Sequence, residues 1–272
     1  MPELPEVETL ARHLHKLLAG AVFARAEVLW PRTIALPDAA EFARQAPGLR
    51  IEGVGRRGKY IVFALSGGRH LLIHLRMSGQ VRVEPAGAPP DGHARVVFDL
   101  EDGRRLVFSD TRKFGRMYLT SDVDTVAGKL GAEPLAEDFT QADLSALLTG
   151  RRGALKPLLL RQDLLVGLGN IYADEALFAA KLHPQRKADT LTPGEVRRLY
   201  TAIRQVLAQA IAGRGTTLRD ARYRDAEGRP GEFQERLCVY QRRGEPCVRC
   251  GTPIERIVVS QRSTHYCPHC QS

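Results

Sequence analysis

The chain reads as an α+β protein in two parts: an N-terminal antiparallel β-sandwich preceded by one helix, then a mainly helical region closed by a metal-bearing hairpin. Three observations lead there. Apolar residues recur at helical spacing in the first twenty positions, short β-prone runs dominate from about 22 to 120, and every cysteine lies in the last thirty-five residues.

Each element follows from local chemistry. In PEVETLARHLHKLLA (5–19), Val7, Leu10, Leu14, Leu17 and Leu18 share one helical face, Pro5 suits the first turn, and Gly20 suits the stop. KYIVFAL, HLLIHL, QVRVE, ARVVFDL and RRLVFS then alternate with SGG, a Pro/Gly stretch near 85–92, and EDG. That spacing predicts an antiparallel sandwich or barrel. A boundary falls in GKLGAEPLAED, which separates a domain of residues 1–131 from helical residues 132–235 and a cysteine-bearing segment 236–272. Thr192, Pro193 and Glu195 form a capping box for a helix that carries Val196, Leu199, Ile203, Val206, Leu207 and Ile211 on one face and ends at Gly213. The polar, glycine-bearing residues 214–234 offer few apolar anchors and read as a mobile loop.

Composition narrows the partners. The 272 residues carry 40 Lys+Arg against 31 Asp+Glu, a net charge of +9. Such an excess favours a polyanion, nucleic acid or an acidic membrane surface. No apolar run approaches the roughly 18 residues of a transmembrane helix. Glu3, Glu6 and Glu8 argue against a secretory signal, so the expected location is cytoplasmic.

Cys247 and Cys250 form one CxxC knuckle, Cys267 and Cys270 a second, with sixteen residues between them. Four thiolates at this spacing suit one tetrahedral zinc ion with no position left for water, hence a structural site. The segment is too short for its own core, so the metal must supply much of its folding energy. From 236 to 272 there are six arginines and two glutamates. Arg262 lies between the knuckles, where a basic hairpin can meet phosphate or simply brace the fold. Cys238 reads as a small buried apolar residue, and His265 and His269 as bystanders.

MPELPEVET, HLRMSG, SDTRKFGR, GLGNIYADEALF and the paired CxxC occur in the order seen in the bacterial formamidopyrimidine-DNA glycosylase family, which the chain resembles along nearly its whole length. The resemblance implies base-excision repair of oxidised purines in double-stranded DNA, followed by lyase cleavage of the strand. DNA would lie in a basic cleft between a sandwich and a helix–two-turns–helix domain, with structural zinc the only cofactor and a monomer the working unit. In this family the initiator methionine is removed and the proline amine attacks the sugar; here that nucleophile is Pro2. An α-amino group has a reference pKa of about 7.7–8.0, and a helix N-terminus beside it lowers the value further.

By the same resemblance Glu3 is the proton donor, Glu6 a supporting acid, and Lys59 and Arg262 proton donors or phosphate contacts. Glu6 reads equally as helix-start electrostatics. Met77, Arg112 and Phe114 match the trio that fills the gap left by an extruded nucleotide. His74, Lys156, Asn170, Tyr172 and Arg219 complete the implied DNA contacts, and Glu175 belongs to the same motif as Tyr172. His74 among apolar neighbours could be a core histidine, Lys156 a solvated lysine, and Tyr172 structural. The loop at 214–234 would cover the extruded base. Arg219 stands where relatives often have lysine, and Ser78 where some carry an acid.

Two other readings compete. A sister endonuclease VIII-like enzyme would act on oxidised pyrimidines, although PELPE and the Met/Arg/Phe trio argue against it. A non-catalytic zinc-ribbon DNA-binding protein would not need a processed proline beside a glutamate.

Overall fold

The structure is a computed structural model that describes residues 2–85, 87–88, 92–218 and 223–272. It divides into two compact units. One comprises residues up to Lys129 together with Arg214–Glu232; the other comprises Leu130–Gly213 and Phe233–Ser272.

The first unit opens with α1 (Leu4–Leu18), whose cap is Glu3 and whose first turn contains Pro5. Nine strands follow: β1 (Phe23–Val28), β2 (Ile34–Leu36), β3 (Ile51–Arg57), β4 (Tyr60–Leu65), β5 (Arg69–His74), β6 (Gly79–Glu84), β7 (Ala94–Leu100), β8 (Arg105–Asp110) and β9 (Arg116–Thr120). The short helix α2 (Ala39–Gln45) interrupts them, and α3 (Asp124–Ala127) follows. They form a four-stranded sheet, β1-β7-β8-β6, and a five-stranded sheet, β2-β9-β5-β4-β3.

The five β-prone runs of the sequence correspond to β4 through β8. One pair departs from the antiparallel expectation: β2 runs parallel to β9, through Ile34 and Met117. The three-residue β2 is reached through a 3₁₀ turn at Pro31–Thr33 rather than a hairpin, so nothing forces it antiparallel. Val7, Leu10, Leu14 and Leu18 of α1 join Phe23, Phe42, Phe63, Phe98 and Phe108 in one core.

Residues 214–232 cluster with this first unit rather than with the helices they follow. Their stems are also better anchored than a mobile loop would be. Thr216, Tyr223 and Ala226 are buried, and Ala226 packs into the sandwich core. Thr217 Oγ1 donates to Tyr223 O and accepts from Gly231 N, both at 2.8 Å, which closes the base of the loop. Asp225 accepts from the backbone N–H groups of Glu227 and Arg229 and lies 3.4 Å from His13 of α1. Apolar periodicity misses such anchoring because most of it is polar.

The second unit contains α4 (Gln141–Leu148), α5 (Leu155–Leu159), α6 (Asn170–Ala180) and α7 (Pro193–Ala212), then the hairpin β10 (Glu255–Val259) and β11 (Arg262–Tyr266). The capping box of α7 forms as read: Glu195 accepts from Thr192 N at 2.8 Å, and Thr192 Oγ1 accepts from Glu195 N. The hairpin packs with the helices in one unit, and β11 lies against α6.

Candidate active site and nucleic-acid interface

In the first unit the sequence-predicted acids sit at the start of α1. Pro2 is partly exposed and Glu3 is buried directly after it. Glu3 and Glu6 form a reciprocal capping box: the Glu3 carboxylate accepts from Glu6 N, and Glu6 Oε2 accepts from Glu3 N at 2.8 Å. Two buried carboxylates are tolerated there because orphan N–H groups and the positive helix end favour negative charge. Glu6 also reaches the loop. Its Oε1 accepts from Thr216 N at 2.7 Å, and its carbonyl accepts from the Tyr223 hydroxyl at 3.3 Å. Gly215 is required beside it, since φ is +78° and a Cβ would come within 2.8 Å of Glu6 Oε1. Burial, with the Glu6 charge next, pushes the Tyr223 phenol far above its ordinary value, so it stays a neutral donor.

Lys59 lies in the turn just before β4, and the next residue, Tyr60, pairs with His74 at the end of β5. Lys59 and His74 are both buried. Burial, reinforced by the charges of Arg76 and Lys59, lowers the His74 pKa to about 3, so the ring is neutral at pH 7. His74 Nδ1 accepts from Arg76 N at 3.0 Å, which leaves the proton on Nε2 as a hydrogen-bond donor.

Met77 lies in the turn between β5 and β6; Arg112 and Phe114 lie in the turn between β8 and β9. The structure brings all three together. Arg112 Nη1 is 3.3 Å from Met77 Sδ, and its guanidinium lies 4.9 Å from the centre of the Phe114 ring. Met77 and Phe114 are 41% and 48% exposed, among the most exposed large apolar side chains described.

The second unit treats its motif residues differently. Lys156 is fully buried, with its ammonium 2.6 Å from Asp174 Oδ1, 2.8 Å from Ser263 O and 2.9 Å from Thr264 Oγ1. Those three partners match the three donors of an ammonium. This corrects its reading as a DNA contact or solvated lysine: its side chain joins α5 to α6 and the hairpin. The Tyr172 side chain is fully buried and packs near Phe233, as the structural alternative has it. Asn170, at the start of α6, donates through Nδ2 to Ser263 O at 2.9 Å. Glu175 accepts from the backbone N–H groups of Cys238, Val239 and Tyr240, at 2.8, 2.9 and 2.9 Å, and so fixes the approach to the first knuckle. Arg262 is exposed at the first position of β11. Arg219 lies outside the described residues.

Sequence reasoning passed over Asp174 and Asp110. Both are buried carboxylates; Asp174 meets partners from distant segments, Asp110 mostly those of the loop that follows it, and the only signal was their place inside the motifs GLGNIYADE and SDTRKFGR.

The four cysteines converge, with all Sγ atoms within 4.8 Å of one another. Cys250 and Cys267 are 3.5 Å apart, and Cys247 and Cys270 3.9 Å. A four-thiolate tetrahedron with Zn–S bonds of about 2.3 Å has edges of about 3.8 Å. Arg249 N and Cys270 N donate to Cys247 Sγ and Cys267 Sγ, each at 3.4 Å. Such bonds orient thiolate ligands. The donor set suits one structural zinc ion, held by Cys247, Cys250, Cys267 and Cys270.

A β-sandwich whose first helix begins at a proline–glutamate pair, joined to a helical unit with a four-thiolate hairpin, defines the class of zinc-bearing DNA glycosylases. Family models agree along the chain: the formamidopyrimidine-DNA glycosylase N-terminal domain over residues 1–117, the H2TH domain of that enzyme over 130–221, and the zinc finger found in FPG and IleRS over 244–272. The formamidopyrimidine-DNA glycosylase of Chloroflexus aggregans is 50% identical, over 100% of this chain and 98% of its own. The crystal structure of the MutM (Fpg) protein of Thermus thermophilus matches with a TM-score of 0.90 at 45% identity, covering 99% of this chain and 98% of that one. A Lactococcus lactis FPG variant, solved with DNA containing Fapy-dG, matches with a TM-score of 0.93 at 36% identity over 100% of both chains. The chain belongs to the formamidopyrimidine-DNA glycosylase family.

Proposed function

We propose that this protein excises oxidised purines, 8-oxoguanine and formamidopyrimidines, from duplex DNA and then cuts the strand by β,δ-elimination. One observation carries the reading: Pro2 lies beside a buried, hydrogen-bonded glutamate at the positive end of α1. With Met1 removed, the unprotonated Pro2 amine attacks the sugar carbon that bears the lesion, and the C–N bond to the base breaks. The resulting iminium acidifies the adjacent C2′ proton. Loss of that proton expels the 3′ phosphate, and a second elimination expels the 5′ phosphate. Glu3 takes the proton that the Pro2 nitrogen sheds on bonding and delivers it to the ring oxygen as the C1′–O4′ bond breaks, a role commonly worth ~10²–10⁴-fold. Glu6 holds the helix start against the 214–218 stem.

His74 offers Nε2–H, and Lys59 and Arg262 offer positive charge, to backbone phosphates. Met77, Arg112 and Phe114 enter the stack where the nucleotide leaves, with Arg112 facing the base left behind. Zinc braces the hairpin that presents Arg262 and takes no part in bond breaking. The protein works as a monomer, in the bacterial cytoplasm where its DNA substrate lies.

Borohydride trapping tests this directly. A covalent adduct is expected on duplexes carrying 8-oxoguanine opposite cytosine, and it should disappear when a residue is added ahead of Pro2, which turns its amine into an amide. Glu3→Gln should slow base excision by ~10²-fold or more. An adduct that survives such an extension, or faster release of thymine glycol than of 8-oxoguanine, would refute the reading.

A further inference from the structure

Asp110 ends β8 and is 1% exposed. Its carboxylate receives four donors from two loops. Oδ1 accepts from the Ser78 hydroxyl and, at 3.1 Å, from Arg112 N; Oδ2 accepts from Phe114 N and Gly115 N, each at 2.7 Å. A carboxylate has about four acceptor positions, so this one is saturated. Its backbone is fixed as well: Asp110 N donates to His93 O, and Asp110 O accepts from Arg95 Nε, both at 2.9 Å.

Ser78 is the part of this arrangement that belongs to the other loop. It follows Met77 directly, and its hydroxyl also accepts from Arg112 N at 3.3 Å. The Ser78–Asp110 bond therefore joins the loop that carries Met77 to the loop that carries Arg112 and Phe114. The second loop is pressed against its sheet, since a Cβ on Gly115 would lie 2.3 Å from the Phe108 ring. Lys113, between Arg112 and Phe114, adopts a left-handed φ of 60° and places its ammonium 3.9 Å from the centre of the Trp30 ring.

From this geometry we infer that Asp110 and Ser78 are a positioning pair that makes Met77, Arg112 and Phe114 one rigid reader of the base opposite the lesion. The inference rests on the reading above that these side chains enter DNA. Neither member of the pair touches the substrate. They act by fixing the two backbones from which the trio projects, so that large apolar side chains stay exposed without collapsing onto the sheet. A hydroxyl at 78 can donate to Asp110, whereas an ionised acid there would place two carboxylates together.

The consequence is selectivity. Arg112 can favour one opposite base over another only if its guanidinium is held in register with the gap. Loosening the Ser78 link should degrade that choice more than it degrades the chemistry at Pro2.

The experiment measures kcat/KM for 8-oxoguanine opposite cytosine and opposite adenine. Rates are normalised to the fraction of molecules that form a borohydride adduct on an abasic duplex, so loss of folded protein cancels. Ser78→Ala should lower the cytosine-to-adenine ratio roughly 3- to 10-fold, the effect of one hydrogen bond. Ser78→Thr, which keeps the hydroxyl, should restore it. Asp110→Asn, which turns an NH2 donor towards groups that are themselves donors, should lower the ratio at least as far. An unchanged ratio in both Ser78→Ala and Asp110→Asn overturns the inference, as does a Ser78→Thr ratio as low as that of Ser78→Ala. A wild-type protein that forms no adduct removes the underlying glycosylase reading, and this inference with it.

Discussion

The two units each bury a basic motif side chain, and they do so in opposite ways. In the first, burial and, after it, the charges of Arg76 and Lys59 keep the His74 imidazole uncharged. In the second, Lys156 meets Asp174 and two further acceptors, so its burial is that of an ion pair. Burial with no counter-charge among the described residues leaves His74 neutral, whereas a carboxylate partner accompanies the buried Lys156, and that difference decides what each side chain can do. A neutral imidazole that accepts at Nδ1 keeps a hydrogen-bond donor at Nε2. An ammonium with its three donors taken is a bracket inside the fold.

The largest expected effect breaks the second arrangement. Asp174→Asn leaves a buried ammonium without its counter-charge and should cost about 3–5 kcal/mol of stability in urea unfolding. Lys156→Met should cost a comparable amount by stranding the carboxylate. The double variant removes both charges yet keeps an oxygen that can accept from His265 N, which Asp174 Oδ2 now does at 2.9 Å. It should therefore lose less than the sum of the single losses, with a coupling energy of at least about 1.5 kcal/mol. Additive losses would mean that Lys156 and Asp174 contribute independently.

The next effect tests the neutral side of the comparison. His74 has a folded pKa of about 3 and an ordinary value of 6.5 when unfolded. The unfolded chain therefore binds the proton first as pH falls. Stability attributable to the neutral ring is fully present above pH 6.5 and drains away towards pH 3. His74→Asn lacks this titration. The stability gap between wild type and variant should narrow by on the order of 2–3 kcal/mol between pH 7 and pH 4. Parallel pH profiles for the two proteins would show that His74 is protonated as easily folded as unfolded.

The contrast also explains what could be read without a structure. Strands β4 to β8 were legible because YIVFAL, HLLIH and ARVVFDL are uninterrupted β-prone runs. FARAEV and IEGVGRR, which became β1 and β3, mix charge and glycine into the pattern and blur it. The exposed trio was legible only because a resemblance picked out Met77, Arg112 and Phe114; periodicity alone would place Met77 and Phe114 in a core. Lys156 was misread because its burial depends on Asp174, Ser263 and Thr264, the last two 107 and 108 residues away. Asp110 shares this only in part: its Ser78 partner lies 32 residues off, whereas its other donors, Arg112, Phe114 and Gly115, follow it closely in the next loop. Long-range polar pairs of this kind leave no local period.

The smallest effect compares how each unit holds residues in the left-handed region. In the first unit Arg76 has a φ of 54° and Lys113 of 60°, and hydrogen bonds from their loops to His74 and Asp110 support these conformations. In the second, the β10–β11 turn places Ser260 at a φ of 46° and Gln261 at 61°, just before Arg262. The Val259–Arg262 pairing closes this turn. Two-residue hairpin turns with both φ values positive favour Asn-Gly, because a Cβ costs roughly 1–2 kcal/mol in that region. Replacing Gln261 with glycine removes that strain but adds freedom to the unfolded chain, worth roughly 0.5–1 kcal/mol in the other direction. The net expectation for Gln261→Gly is a gain of about 0.5–1 kcal/mol, read as slower amide exchange along β10 and β11 in the zinc-loaded protein. If exchange is instead faster, the turn is set by the Zn-held ends of the hairpin, and the strain at Ser260 and Gln261 is carried without cost to the ladder.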